Sequence, residues 1–145
     1  MDQSNLIVYV DGSSLGNPGP SGIGVAVFDK NSPDEPLVQI SQYIGITTNN
    51  VAEYEALLTA LKWLLTNKFS KAEICMDSEL VYKQIMGDYR IKSKHLQILA
   101  ERVRKLLNKF ESVDLRLILR ENNRLANNLA QKNAKLTRKK TKQKE

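Results

Sequence analysis

Three acids in this chain stand beside apolar runs, where they suit chemistry better than packing. Asp11 follows the run Leu6-Ile7-Val8-Tyr9-Val10, and Asp77 follows Ile74-Cys75-Met76. Glu53 lies at the opening of a helical pattern, in the phrase Thr48-Asn49-Asn50-Val51-Ala52-Glu53. Two strands that each deliver a carboxylate at the same relative point bring both together if they are sheet neighbours, and a helix start can add a third. Clustered carboxylates in a poorly solvated cleft repel one another unless cations neutralise them. Oxygen ligands with no His or Cys among them select magnesium or manganese. Each acid taken singly also has a plain structural explanation. Asp11 suits a turn before Gly12, Glu53 suits a first-turn position favoured by the helix dipole, and Asp77 suits the cap of a following helix. Placement alone leaves both explanations open.

The elements that would have to hold these acids can be read from periodicity. Leu6–Val10 reads as a buried strand ending in a turn at Asp11-Gly12, and the Gly/Pro-rich segment 16–22 breaks the chain before a second strand over Ile23–Phe28. A third strand is expected over Leu37–Ile44, making an antiparallel meander. Ala52, Ala56, Leu57, Ala60, Leu61, Leu64 and Leu65 repeat at helical spacing from about Asn50, with Asn49 or Asn50 as cap. Ala72–Met76 is an apolar, interior strand. Helices follow over Glu79–Met86, stopped by Gly87, and over Ser93–Phe110. Val113–Leu119 alternates as a fifth strand, and Asn122–Lys135 closes the pattern as a helix. The expected fold is α/β: a mixed five-stranded sheet, three antiparallel strands then parallel additions, flanked by helices.

Composition narrows the class. At 145 residues with 41% hydrophobic content, the chain has material for one sizeable core. It lacks the apolar stretch of a membrane span and the pattern of a signal peptide, so a cytoplasmic location is expected. A single cysteine, Cys75, excludes a disulfide framework and suits buried packing. The net charge of +6 points weakly to nucleic acid, because 15 basic and 15 acidic residues balance as far as Gln131. The excess lies at the end, where Lys135–Glu145 is expected to be a basic, disordered tail, either solubilising or a sequence-blind tether to phosphates. Residues 1–134 are expected to form the catalytic domain.

Four ordered phrases resemble the type 1 ribonucleases H. They are Tyr9-Val10-Asp11-Gly12-Ser13-Ser14-Leu15-Gly16-Asn17-Pro18-Gly19-Pro20-Ser21-Gly22, Thr47-Thr48-Asn49-Asn50-Val51-Ala52-Glu53, Met76-Asp77-Ser78, and Arg120-Glu121-Asn122-Asn123-Arg124-Leu125-Ala126-Asn127-Asn128-Leu129-Ala130. The resemblance runs from Leu6 to Ala134. It implies a ribonuclease H-like fold and hydrolysis of the RNA strand of RNA–DNA hybrids, leaving 5′-phosphate and 3′-hydroxyl ends, largely independent of sequence. It implies two divalent ions, Mg2+ or Mn2+, held by Asp11, Glu53 and Asp77 with Asn127 as the fourth site residue, Asp11 bridging the ions. It assigns substrate contacts to Gly12, Ser13 and Ser14, minor-groove contacts to Asn17, Asn49 and Asn50, and a DNA-phosphate grip to Thr48 and its neighbours. Ser78 and Arg120 also fall in matching phrases. The implied partner is the hybrid duplex; no obligate protein partner is evident in the sequence, nothing in it resembles an oligomerisation seam, and a monomer is expected.

The chain departs from the family pattern in three places. Asn127 stands where an acid is usual; it keeps a carbonyl oxygen but loses a charge, so one ion should be held more weakly. The alternative is a catalytically impaired hybrid-binding protein. No histidine lies between Leu119 and Asn127, leaving Arg120 as the cation there, and His95 is expected at the surface. The basic, tryptophan-bearing insertion of some relatives is absent or reduced, since Trp63 belongs to the apolar stripe of the first helix. A third function class, junction cleavage or integration, is disfavoured by the Gly16-Asn17-Pro18-Gly19 loop and the Asn49-Asn50 pair.

Overall fold

The structure, a computed structural model, describes residues 5–144, and side chains as far as residue 136. Its elements are β1 (Leu6–Ser14), β2 (Gly19–Asp29), β3 (Val38–Thr47), α1 (Asn49–Thr66), β4 (Lys71–Met76), α2 (Glu79–Met86), α3 (Lys94–Leu107), β5 (Ser112–Leu117) and α4 (Arg124–Lys144). One turn of 3-10 helix, Arg120–Asn122, precedes α4. The five strands form one sheet in the order β3-β2-β1-β4-β5. β1, β2 and β3 are antiparallel, and β4 and β5 add in parallel to β1. This is the mixed sheet expected from the sequence, with β4 interior.

Helices cover both faces. α1 packs on β1 and β2 with α3 behind it, so it is apolar nearly all round, and Tyr54, Leu57, Leu58, Leu61 and Leu64 are all fully or almost fully buried. They meet Val8, Val10, Ile23 and Val25 from the sheet in one core. α4 crosses the opposite face over β2, β1 and β3. Its seat depends on Gly22 and Gly24, because a Cβ on Gly24 would lie 2.1 Å from the Ala126 carbonyl oxygen and one on Gly22 2.2 Å from that of Ala130.

Several boundaries differ from the sequence expectation, each for a physical reason. β1 does not turn at Asp11-Gly12 but continues to Ser14, paired with β2 through Ser14 opposite Ser21. Gly12 is there for close packing, since a Cβ would meet the Ala52 carbonyl carbon at 2.1 Å. α1 is capped by Thr48, whose Oγ1 accepts from the Val51 N–H at 3.3 Å, and not by either asparagine. The last helix extends past Lys135 to Lys144, where a frayed tail was expected. Beyond the packed part no Gly or Pro interrupts it, and Lys, Arg and Gln propagate an already nucleated helix readily. Side chains of the tail from residue 137 onward, and residue 145, lie outside the described residues. His95 is exposed, Trp63 stacks on Phe69 beside the core and Cys75 is buried, all as expected.

Candidate active site

Asp11 and Asp77 are brought together by the parallel pairing of β1 with β4. Tyr9 lies opposite Cys75, and each acid stands two residues further along its strand direction. Glu53 arrives from α1, whose backbone is drawn against β1 at Gly12. One ligand oxygen from each of the three carboxylates can be chosen so that all lie within 4.8 Å of one another. The structure removes the plain explanations for each. Asp11 sits inside a strand, not in a turn. Glu53 is the fifth residue of α1, past the first turn where it was expected. The cap of α2 is Ser78, whose Oγ accepts from the Val81 N–H at 3.2 Å, which leaves Asp77 free of that duty.

The electrostatics of the cluster are unfavourable without a cation. Asp11 is 2% exposed and Glu53 8%. Burial pushes the Asp11 carboxyl up to about 6; the charge of Asp77 adds to this, while hydrogen bonds with Glu53 and Asn127 oppose it. Glu53 is raised well above its usual range, first by burial and then by Asp11 and Asp77, with the Gly12 N–H opposing. One Glu53 oxygen, Oε2, is buried with no hydrogen-bond partner. None of the ion pairs among the described residues uses these three acids. Three hard oxygen donors, one of them orphaned, fit a divalent cation.

Two asparagines complete the cluster. Asn127, on α4, donates from Nδ2 to Asp11 Oδ2 at 2.7 Å, and its own Oδ1 accepts from Gln131 Nε2 at 3.3 Å. Asn123, 1% exposed just before α4, donates from Nδ2 to Asp77 Oδ2 at 2.9 Å and to the Val10 carbonyl at 2.8 Å. Sequence reasoning passed over Asn123 and Gln131. Their signal was the four-residue spacing on either side of Asn127, which stacks side chains on one helix face.

The acids open into a polar cleft of about 400 Å³. Asp11, Gly12, Ser13, Ser14, Asn49, Asn50, Glu53, Asp77, Ser78, Arg120 and Asn127 line it, together with Leu15 and Gln131. Asn17 and Thr48 stand outside the lining. Asn17 is tied to it indirectly, since its Oδ1 accepts from the Asn49 N–H at 3.0 Å while Asn49 Oδ1 accepts from the Ser14 N–H at 2.8 Å. The Ser14 hydroxyl is held by the carbonyls of Gly16 and, at 2.9 Å, Thr47. The β1–β2 turn is thereby stapled to the start of α1. A smaller apolar hollow, between Tyr9, Phe28 and the start of α4, contains none of the three acids.

Known proteins are similar to this chain in sequence and in fold. The reverse transcriptase-like family model matches residues 9–133. A bifunctional protein of Mycobacterium tuberculosis is 34% identical over 125 residues, covering 86% of this chain and 34% of its own length. Ribonuclease HI of Halobacterium salinarum is 37% identical over 123 residues, covering 84% of this chain and 60% of its own. The chain thus spans between a third and three fifths of these curated relatives. A crystal structure of ribonuclease H1 from Halobacterium salinarum superposes with a TM-score of 0.82 at 33% identity, covering 87% of this chain and 94% of that one. LC11 ribonuclease H1, isolated from compost and solved in complex with an RNA/DNA hybrid, superposes with a TM-score of 0.79 at 37% identity, covering 87% and 94%. Family model, sequence identity and superposed fold agree, and the chain belongs to the reverse transcriptase-like, ribonuclease H-like family.

Proposed function

We propose that this protein is a metal-dependent endoribonuclease that cuts the RNA strand of RNA–DNA hybrids. The observation that carries the reading is the buried trio Asp11, Glu53 and Asp77 in a polar cleft, with one Glu53 oxygen orphaned. Asp11, Glu53 and Asp77 would hold two ions, Mg2+ or Mn2+, with Asn127 beside them as the fourth site residue. Bound there, the ions would activate a water for in-line attack on the scissile phosphate and neutralise the departing 3′ oxygen, giving 5′-phosphate and 3′-hydroxyl ends.

The chain's own groups supply position and selection. Backbone around Gly12, Ser13 and Ser14, and the Glu53 carboxylate, lie along the cleft where ribose 2′-hydroxyls distinguish RNA from DNA. Asn17 and Asn49 each spend their carbonyl oxygen on a backbone N–H, so their amide nitrogens remain as donors for acceptors in the hybrid's minor groove. Asn50 extends this row. Thr48, at the start of α1, would grip a DNA phosphate with its neighbours. Ser78 and the exposed Arg120, which also line the cleft, would contact the backbone. Such contacts read shape more than base identity, so cutting is largely sequence-independent. Residues 1–134 carry the chemistry, the basic residues 135–145 add non-specific phosphate attraction, and the protein acts as a cytoplasmic monomer.

The hybrid-binding alternative without catalysis is not favoured, because three of the four site positions keep their carboxylates and the amide at the fourth touches Asp11. Incubating a labelled hybrid with the protein across Mg2+ and Mn2+ concentrations tests the reading. RNA-strand cleavage that disappears in Asp11→Asn is expected, and an intact RNA strand with both metals would sink it.

A further inference from the structure

Asn127 turns its amide nitrogen, and not its oxygen, toward Asp11. Its amide has one donor end and one acceptor end, and the donor end faces Asp11 Oδ2 at 2.7 Å. The acceptor end receives a hydrogen bond from Gln131 Nε2 at 3.3 Å, one helical turn further along α4. Gln131 also lines the cleft and is half-buried. The three groups form a polarised chain running from Gln131 to Asn127 to Asp11, in which each bond strengthens the next.

An amide nitrogen bearing two hydrogens cannot ligate a cation. For the Asn127 oxygen to face the cleft, the amide must turn half a revolution about its terminal torsion, and that turn breaks both hydrogen bonds. The donation to Asp11 would be exchanged for contact with the ion, whereas the donation from Gln131 would be lost unless Gln131 inverted as well. We propose that Gln131 is a positioning residue which holds Asn127 as a donor to Asp11 and thereby weakens the ion site on the Asn127 side of the cleft. The inference rests on the reading that the cleft binds divalent ions, and it concerns how this chain sets their affinity.

A carboxylate at the same position has two equivalent oxygens and no donor end, so it has no orientation for Gln131 to fix. The effect of Gln131 must therefore depend on the residue at 127, which a purely structural role would not. Mn2+ titration calorimetry on four full-length proteins reads this directly: the unaltered chain, Gln131→Met, Asn127→Asp and the double variant. Met keeps length and helix propensity while removing the donor. With Asn at 127, Gln131→Met should tighten the weaker Mn2+ binding by about three- to fivefold, the equivalent of one modest hydrogen bond. In the Asn127→Asp background the same change should be less than about twofold, because that bond no longer selects an orientation. The side-chain amide resonance of Asn127 in metal-free protein should also shift in Gln131→Met.

An equal effect in both backgrounds, or none with Asn at 127, overturns the role of Gln131 while leaving the ion-binding reading intact. An unmoved Asn127 amide resonance does the same. Absence of Mn2+ uptake in all four proteins overturns the ion-binding reading and the inference with it.

Discussion

Asn123 Nδ2 bridges Asp77 Oδ2, at 2.9 Å, and the Val10 carbonyl, at 2.8 Å, so a single buried nitrogen ties the acid after β4 to the backbone of β1. Asn123→Ala removes the donor from both acceptors, of which the Val10 carbonyl is the buried one. Leaving a buried acceptor unpaired costs about 1–3 kcal/mol, so a lower melting temperature is expected. The kinetic signature should be a fall in kcat with little change in KM for the hybrid, because the Asp77 oxygen is released while the substrate-facing loops are untouched. Steady-state kinetics on a hybrid substrate check it, and a pure KM effect would contradict the assignment.

Asn127→Asp restores a fourth carboxylate beside Asp11. Ion affinity measured by calorimetry should rise, and cleavage should reach its maximum at lower metal concentration. The same substitution should make the metal-free protein less stable at neutral pH, since a donor to Asp11 becomes a like charge.

The raised carboxyls give a pH dependence whose sign is opposite to that of a salt-bridged acid. Asp11 titrates near 6 in the fold against 3.8 ordinarily, and Glu53 is also raised, so the folded protein binds more protons than the unfolded chain between these values. Their contribution to stability is fully present below pH of about 4 and is lost as pH rises through about 6 and beyond. Thermal melting of metal-free protein should show this fall, and added Mg2+ should reverse it at pH 8. Asp11→Asn should raise the metal-free melting temperature at pH 8 while abolishing cleavage. A flat profile would mean that the cluster is better solvated than its burial indicates.

Asn49→Ala removes the acceptor for the Ser14 N–H and the amide donor facing the cleft. The expected result is a KM for hybrid raised by about 5- to 10-fold, matching a loss of about 1–1.5 kcal/mol, with kcat nearly preserved. A collapse of kcat alone would point instead to displacement of Glu53, four residues along α1.

Gly24→Ala tests the seat of α4. The new Cβ would have to clear the Ala126 carbonyl oxygen, now 2.1 Å from its ideal position. Overpacking of this kind costs about 1–3 kcal/mol, and α4 should shift, carrying Asn127 away from Asp11. Lower stability and lower activity should appear together.

The sequence made the strand and helix order legible because β1, β4 and α1 are nearly unbroken apolar runs, and their acids interrupt those runs visibly. It was less informative wherever glycine has two uses. Asp11-Gly12 resembles a turn, yet Gly12 admits the backbone of α1 against a continuing strand. The cap of α1 was misplaced by one or two residues because threonine and asparagine are both good caps and only geometry chooses between them. Asn123 and Gln131 stayed hidden because their partners, Val10, Asp77 and Asn127, are set by tertiary packing. The direction of the Asn127 amide is not encoded in the residue type at all.

Asn127 reaches Asp11 across 116 residues of sequence, and Asn123 reaches Val10 across 113. Contacts this remote form against the full entropy of closing the chain, and both are delivered by the entry and first turns of one helix. Docking of α4 therefore governs two acid–amide contacts as a unit. Opening of that helix, whether during synthesis or as a local fluctuation, would strip Asp11 and Asp77 of their amide partners in one step, so the site behaves as an all-or-none assembly whose completion is timed by its most distant segment.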